Sequence, residues 1–199
     1  MIKIIGKNSL SQYLSYLLLV LFILFAVQCI YEIIGFAVLT YNFKTRNTIL
    51  SDFFITGTDV GWAKNQWTQT MDGMIKFKIF VPFTSQNLLT GIFSTFSILN
   101  FISNIIFITV FLFTGYRFLR EISREQVFNT QALLCLKRFG WTNILYATVV
   151  MAMIPFTVKT LISPGYNVIL FLFFGALVLF IVEFFKKGLE LQEQVDLTI

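Results

Sequence analysis

Histidine is absent from the 199-residue chain, which removes the commonest acid/base group and metal ligand at neutral pH. Cysteine occurs twice, as Cys29 within the first apolar run and Cys135 in a later amphipathic one. Two thiols at different depths do not make a disulfide, and neither their number nor their spacing suggests a metal. Charge is scarce as well, at 13% of residues against roughly 25% in soluble domains. No Ser/His/Asp, Cys/His or HExxH set exists, and Asp52, Asp59 and Asp72 are too dispersed for a metal or glycosidase pair. Turn and cap duty suits all three. The expectation is a chain with no catalytic residue, no metal and no cofactor.

Apolar residues take the place of charge. They make up 57% of the chain, including 25 Phe, and the mean hydropathy is +0.79. The run from Leu88 to Tyr116 would be a helix of roughly 43 Å, against a hydrocarbon core of about 30 Å. Such a run has no place in a small soluble domain and is read as a membrane span. A net charge of +5 fits membrane topology, because Lys and Arg sit in the segments flanking the spans. No Lys/Arg-rich face with interleaved aromatics is present, so direct nucleic-acid binding is not expected.

Taken in order, residues 1–12 carry Lys3 and Lys7 and precede an apolar run from Tyr13 to about Leu39. That opening resembles a signal peptide, but the run is too long for an h-region and lacks a small-residue exit, so a retained span is expected. Residues 40–87 form the one long polar stretch. Within it Met74 to Val81 alternates, sending Ile75, Phe77, Ile79 and Val81 to one side and Lys76 and Lys78 to the other, which is strand periodicity. Ile49 to Thr56 is a second strand candidate, giving a small antiparallel hairpin or sheet. Trp62 and Trp67 either anchor it at the headgroup level or fill its core. Pro82 ends the strand, and Ser85 or Asn87 is expected to cap the next helix.

After the long span, residues 117–140 form a basic elbow in which Arg117 and Glu121 have i,i+4 spacing. Phe128-Asn129-Thr130 reads as a break with an N-cap. Beyond it Leu133, Leu136 and Gly140 share a face directed at the membrane or the bundle, while Lys137 and Arg138 reach water. A third span follows from about Trp141 to Ile162, with Pro155 expected to kink it. A Ser163-Pro164-Gly165 turn leads to a fourth span, Tyr166 to Phe185, which continues as a cytoplasmic tail over residues 186–199. With both termini inside, the segments 1–12, 117–140 and 186–199 carry nine Lys/Arg and the outer side six. The five in the elbow carry the signal, since short loops set topology.

The fold class expected is therefore an all-α integral membrane protein of four helices, with a small β-containing extracytoplasmic loop domain and an amphipathic cytoplasmic elbow. Several polar residues within it call for an account. Glu32 lies near the outer end of the first span, where an intramembrane acid is a functional candidate. Its structural role would be pairing with Lys44, Lys159 or an interfacial tyrosine. Ser97, Asn100 and Asn104 are spaced to share one face of the second span, either for interhelical hydrogen bonds with Gln28 and Thr157 or as the lining of a solute path. Glu183 and Lys187 read as an interfacial ion pair. In the tail, Phe184, Gly188, Leu191 and Val195 form a stripe that packs on the elbow helix, with Lys137 and Arg138 facing the tail acids, or receives a partner.

The elbow ISREQVFNTQALLCLKRFGW and the tail VEFFKKGLELQEQVDLTI together resemble the bacterial DUF2975 family of small membrane proteins. The matching positions are Phe128, Leu136 and Gly140 in the elbow and Phe184, Gly188, Leu191, Glu193, Asp196, Leu197 and Thr198 in the tail. An acidic-Asn pair usual in the elbow is replaced near Gln131-Ala132, Val195 stands where a second acidic or polar residue is common, and the outer loop is long. The resemblance spans the whole architecture and implies four helices without an established activity. Relatives are often encoded beside a small helix-turn-helix regulator, which implies a link to signalling.

The reading of function that follows is a non-enzymatic protein of the bacterial cytoplasmic membrane acting in interaction or regulation. Its partners are membrane lipids, a protein partner at the elbow and tail, and a second copy in a homo-oligomer. The alternatives are a subunit of a small-solute transporter or channel, and a purely structural or accessory chain.

Overall fold

The structure, a computed structural model, describes residues 5–63, 65–124, 129–156 and 165–196, without the side chains of Trp67, Glu193, Val195 and Asp196. Its elements are α1 (Leu10–Thr45), β1 (Phe54–Gly57), α2 (Gln66–Gln69), β2 (Lys76–Phe80), β3 (Asn87–Ile92), α3 (Thr95–Ile122), α4 (Thr130–Met153), a 3-10 turn (Ile154–Phe156) and α5 (Gly165–Asp196). Four helices, within Leu10–Thr45, Thr95–Ile122, Thr130–Phe156 and Gly165–Gln192, are long and apolar enough to cross a membrane. Contacts divide the chain into two compact units, one of residues 1–26 with 104–199 and the other of Val27–Ser103.

The Val27–Ser103 unit is built on a three-stranded antiparallel sheet of order β1-β2-β3. Phe54 pairs with Ile79 and Lys78 with Thr90. The alternation read from the sequence sends Phe77 and Ile79 inward, where both are fully buried with Phe36, Leu39 and Phe54. Gly35 lets the sheet approach α1: a Cβ there would lie 2.8 Å from Phe54 Cε1. On the opposite face Trp62 donates from Nε1 to Thr90 Oγ1 at 2.7 Å, and Lys76 Nζ lies 5.4 Å from the Trp62 ring centre. Trp62 thus covers the polar face of the sheet and is not part of its apolar core.

Three boundaries differ from the sequence reading. The first strand is Phe54–Gly57, shorter than the Ile49 to Thr56 expected, because residues 47–53 are taken up by turns. Leu88 to Ile92 belongs to β3 and not to the second long helix. A short apolar run does not separate strand from helix by periodicity, and here β2 supplies a pairing partner. The helix is capped accordingly by Ser94, whose Oγ accepts from Ser97 N at 3.2 Å and whose carbonyl accepts from Ile98 N, not by Ser85 or Asn87. The first helix is longer than Tyr13 to Leu39 at both ends, and its Asn42 side chain ties down the following turn through both Ile49 N and Ile49 O.

In the other unit α4 and α5 form the closest helix pair. Leu136, Val178 and Val182 are buried at one level, and Ala147, Val150 and Val168 at another. Small residues set the spacing: a Cβ at Gly175 would lie 2.7 Å from Ile144 Cγ1 and 3.0 Å from the Gly140 carbonyl oxygen. Tyr146 stacks on Phe107 at 3.8 Å between ring centres, and Phe171 meets both rings edge-on. The elbow segment after Asn129 is not a separate piece but runs on into α4 without a break. Pro155 does not kink this helix. The α-helix ends at Met153 and Pro155 lies in the 3-10 turn, since a proline takes away an interior donor and its ring crowds the preceding turn. The expected Ser163-Pro164 turn, Thr157 and Lys159 lie outside the described residues.

Candidate functional site

A hollow lined by cations, hydroxyls and amides lies within the unit that contains both chain ends. It has a volume of about 1210 Å³ and is walled by Lys7 and the first turns of α1, the end of α3 and the beginning of α4. Local sequence builds each wall. Before α1, Gly6 takes φ +95° and Asn8 φ +57°, conformations that glycine and asparagine tolerate best. Gly6 N donates to Ile122 O at 3.2 Å, tying this segment to the end of α3. Gln12 Oε1 accepts from Asn8 N at 2.8 Å, while its Nε2 donates to Tyr16 OH at 3.1 Å. Ser9 and Ser11, both buried, share a hydroxyl contact of 2.7 Å, and Ser15 Oγ donates to Gln12 O.

The end of α3 supplies cations. Arg120 Nη1 donates to Tyr116 OH at 2.7 Å, with its guanidinium carbon 5.8 Å from that ring centre. Arg124 lies 3.2 Å from Glu121 Oε2, and its side chain is 60% exposed while that of Glu121 is 9% exposed. The Arg117–Glu121 pairing expected from i,i+4 spacing is therefore replaced by an i,i+3 pair. Arg117 instead lies 5.9 Å from the Phe113 ring centre. The third wall starts at Asn129, which has extended backbone and accepts from Ala132 N at 2.7 Å through Oδ1. This is the N-cap read at the break in the elbow. Among the described residues Lys7, Arg120 and Arg124 are the charged members of the lining, accompanied by hydroxyls and amides.

The other residues singled out from sequence are dispersed. Glu32 is 4% exposed and accepts from Gln28 Nε2 at 2.8 Å. Its described partner is thus one helical turn away and is neither Lys44 nor a tyrosine, and Gln28 is engaged there and not with the asparagines of α3. Asn104 accepts from the Tyr146 hydroxyl, an interhelical bond between α3 and α4. Asn100 accepts from Ser103 Oγ through its carbonyl, and Ser97 bonds Ser94. Leu136 and Gly140 face α5: Leu136 is 4% exposed, and a Cβ on Gly140 would lie 2.9 Å from Leu179 Cδ2.

In the tail, Phe184 and Leu191 are 59% and 63% exposed and Gly188 is half-buried. The face of α5 that packs on α4 carries Val178, Val182 and Phe185 instead, so the stripe Phe184-Gly188-Leu191 does not cover the elbow. Glu183 and Lys187 are exposed and do not pair among the described residues. Phe128 and the side chains of Glu193 and Asp196 lie outside the description. Sequence reading missed Asn143, which is fully buried, donates to Phe139 O at 2.7 Å, and leaves Oδ1 without a partner among the described residues. An amide in the middle of an apolar helix was the available signal. It also missed Arg120 as a lining group, since nothing in the spacing brings Lys7 to it.

A family described as "Protein of unknown function (DUF2975)" matches residues 61–199. The chain belongs to the DUF2975 family. The match takes in α3, α4 and α5 and begins at Gly61, so it leaves out α1 and β1 and is narrower than the whole-architecture likeness expected from the elbow and tail. No curated protein and no solved structure matches the chain. Within the DUF2975 region, the Asn129 cap and Gly140 take on structural roles: the first starts α4, and the second admits Leu179 of α5. Among the described residues no group of three His, Cys, Asp or Glu is placed to hold a metal.

Proposed function

We propose that this protein is a multi-pass protein of the bacterial cytoplasmic membrane, with both termini in the cytoplasm and residues 40–87 outside. In this reading it is a non-enzymatic interaction module of a regulatory system. The polar hollow carries the proposal: its lining of cations, hydroxyls and amides is suited to holding a polar ligand or partner, and it belongs to the segments whose Lys and Arg favour the cytoplasmic side. The four long apolar helices supply the membrane part. The last turns of α5, where Leu191 is exposed, carry Lys186 and Lys187 together with Glu190, Glu193 and Asp196, a mixed-charge sequence suited to a contact surface for a protein. The likeness to DUF2975 supports the membrane architecture and leaves the partner open.

A photoreactive residue at Leu191, and another at Asn65 in the outer segment, tests this in native membranes. The expected result is a reproducible cytoplasmic protein adduct at 191, lost on Lys187→Glu with the protein level unchanged. Intramolecular and lipid adducts alone at both positions, in growing and stressed cells, would overturn the interaction reading.

A further inference from the structure

The hollow has a charge and a size that together restrict what it can take. Among the described residues three cations line it and no carboxylate does. Arg124 is partly neutralised by Glu121, but among the described residues Arg120 has a tyrosine hydroxyl and ring as its partners and no carboxylate, and Lys7 is exposed and makes no ion pair. A guanidinium in that state keeps donors for a planar or tetrahedral oxyanion, and arginine binds phosphate in a fork that lysine does not offer. The Tyr116 contact also fixes the direction of the Arg120 side chain, which lowers the ordering cost of binding. A volume of about 1210 Å³ is far larger than a bare ion needs and somewhat exceeds the roughly 300–1,000 Å³ of sites for organic molecules, so it has room for an anion with an organic body. Around the cations the walls offer Ser123, Thr130 and Gln131 for hydrogen bonds, with Leu19 as the aliphatic contribution. That mixed lining, with Tyr16, Leu19 and Tyr116 beside the polar groups, fits an anion that carries an organic body.

We propose that this hollow binds a phosphate-bearing organic anion, presented either by an anionic phospholipid headgroup or by a free phosphorylated solute. The inference rests on the preceding reading to the extent that this end of the chain must face the cytoplasm. Both sources share one chemistry, a phosphoryl group held by Arg120 and Lys7 with its polar substituent against the start of α4. Basic pockets at the cytoplasmic ends of membrane helices are suited to headgroups, and the same pocket is open to solutes from the aqueous side.

The test uses the full chain purified in dodecyl maltoside. Native mass spectrometry follows titration with dihexanoyl phosphatidylglycerol, with glycerol 3-phosphate, and with dihexanoyl phosphatidylcholine as a zwitterionic control. The expected result is saturable binding of the phosphatidylglycerol, the glycerol phosphate or both, in preference to phosphatidylcholine. Arg120→Gln and Lys7→Gln should each weaken it by about tenfold, the size of one charge-assisted hydrogen bond. Lys44→Gln, exposed in the last turn of α1 and not part of the lining, should leave it unchanged. Lys7→Gln removes no described contact, so it keeps the test decisive if Arg120→Gln fails to fold. Binding of phosphatidylglycerol alone assigns the lipid source, and binding of glycerol phosphate assigns the solute. No preference over phosphatidylcholine, or equal binding by Lys7→Gln and the parent, overturns the inference. Phosphate binding that persists when position 191 captures no protein would leave this inference standing while removing the interaction reading.

Discussion

Replacing Gly175 by alanine is the sharpest test of how α4 and α5 are held together. The added Cβ would lie 2.7 Å from Ile144 Cγ1, 3.0 Å from Gly140 O and 3.2 Å from Asn143 Cβ. The carbonyl belongs to an intact α-helix and cannot turn away, so the helices must separate. Gly140→Ala probes the same crossing from the other side, but meets only side-chain atoms, Leu179 Cδ2 at 2.9 Å, Leu179 Cγ at 3.1 Å and Val178 Cγ1 at 3.2 Å, of which those of Leu179, the nearest, can shift by a rotamer change. Overpacking costs about 1–3 kcal/mol, and alanine recovers up to about 1 kcal/mol of helix propensity over glycine. Because the overlap at Gly175 is partly with backbone, its cost lies in the upper part of that range, about 2–3 kcal/mol, and Gly175→Ala should destabilise by a net of about 1–2 kcal/mol, a factor of about 5–30 in the folded-to-unfolded ratio. Gly140→Ala should fall within about 1 kcal/mol of the parent, because the flexible Leu179 absorbs most of the overlap. Reversible unfolding in mixed micelles of dodecyl maltoside and SDS, followed by far-ultraviolet circular dichroism, measures both. Equal losses, or a larger loss for Gly140→Ala, would refute the claim that backbone contact at Gly175 sets the spacing.

Phe77 is fully buried in the core of the sheet unit, so Phe77→Ala should cost that unit about 3–5 kcal/mol; limited proteolysis should then cut within residues 46–94 while α4 and α5 stay protected. Asn143→Leu replaces a buried amide whose Oδ1 has no described partner with an apolar side chain of the same branching and somewhat greater bulk. Burying an unpaired acceptor costs about 1–3 kcal/mol, so the variant should be at least as stable as the parent in the same micelle assay, and a marked loss would show that Oδ1 is satisfied by a ligand or water.

The long apolar helices were legible because length and apolar content, and not tertiary contacts, announce them. The strand at Lys76–Phe80 was legible because apolar and basic residues alternate along it, although Lys76 is itself buried beside Trp62. Leu88 to Ile92 misled for the converse reason: an apolar segment continuous with an apolar helix carries no mark at the junction, and pairing with β2 decides its fate. Pro155 was legible as a disruption but not as a terminator, since a proline alone does not tell whether the helix resumes. The pairings of single charges were the least legible. Glu121 chose Arg124 over Arg117, and Glu32 chose Gln28, because rotamer and burial select among neighbours one turn apart. The hollow could not be read at all, as Lys7, Arg120 and Gln131 come from three distant segments. Its one local clue was the N-cap at Asn129.

The central claim is that the chain crosses the membrane with its termini inside, and cysteine accessibility tests it most directly. In a background of Cys29→Ala and Cys135→Ala, which removes the two buried native thiols, single cysteines are placed at Phe83, 93% exposed, and at Leu191, 63% exposed. A membrane-impermeant maleimide applied to intact spheroplasts should label position 83 and reach position 191 only after permeabilisation. Labelling of 191 with protection of 83 would contradict the orientation, and labelling of both in intact spheroplasts would contradict the four-span account.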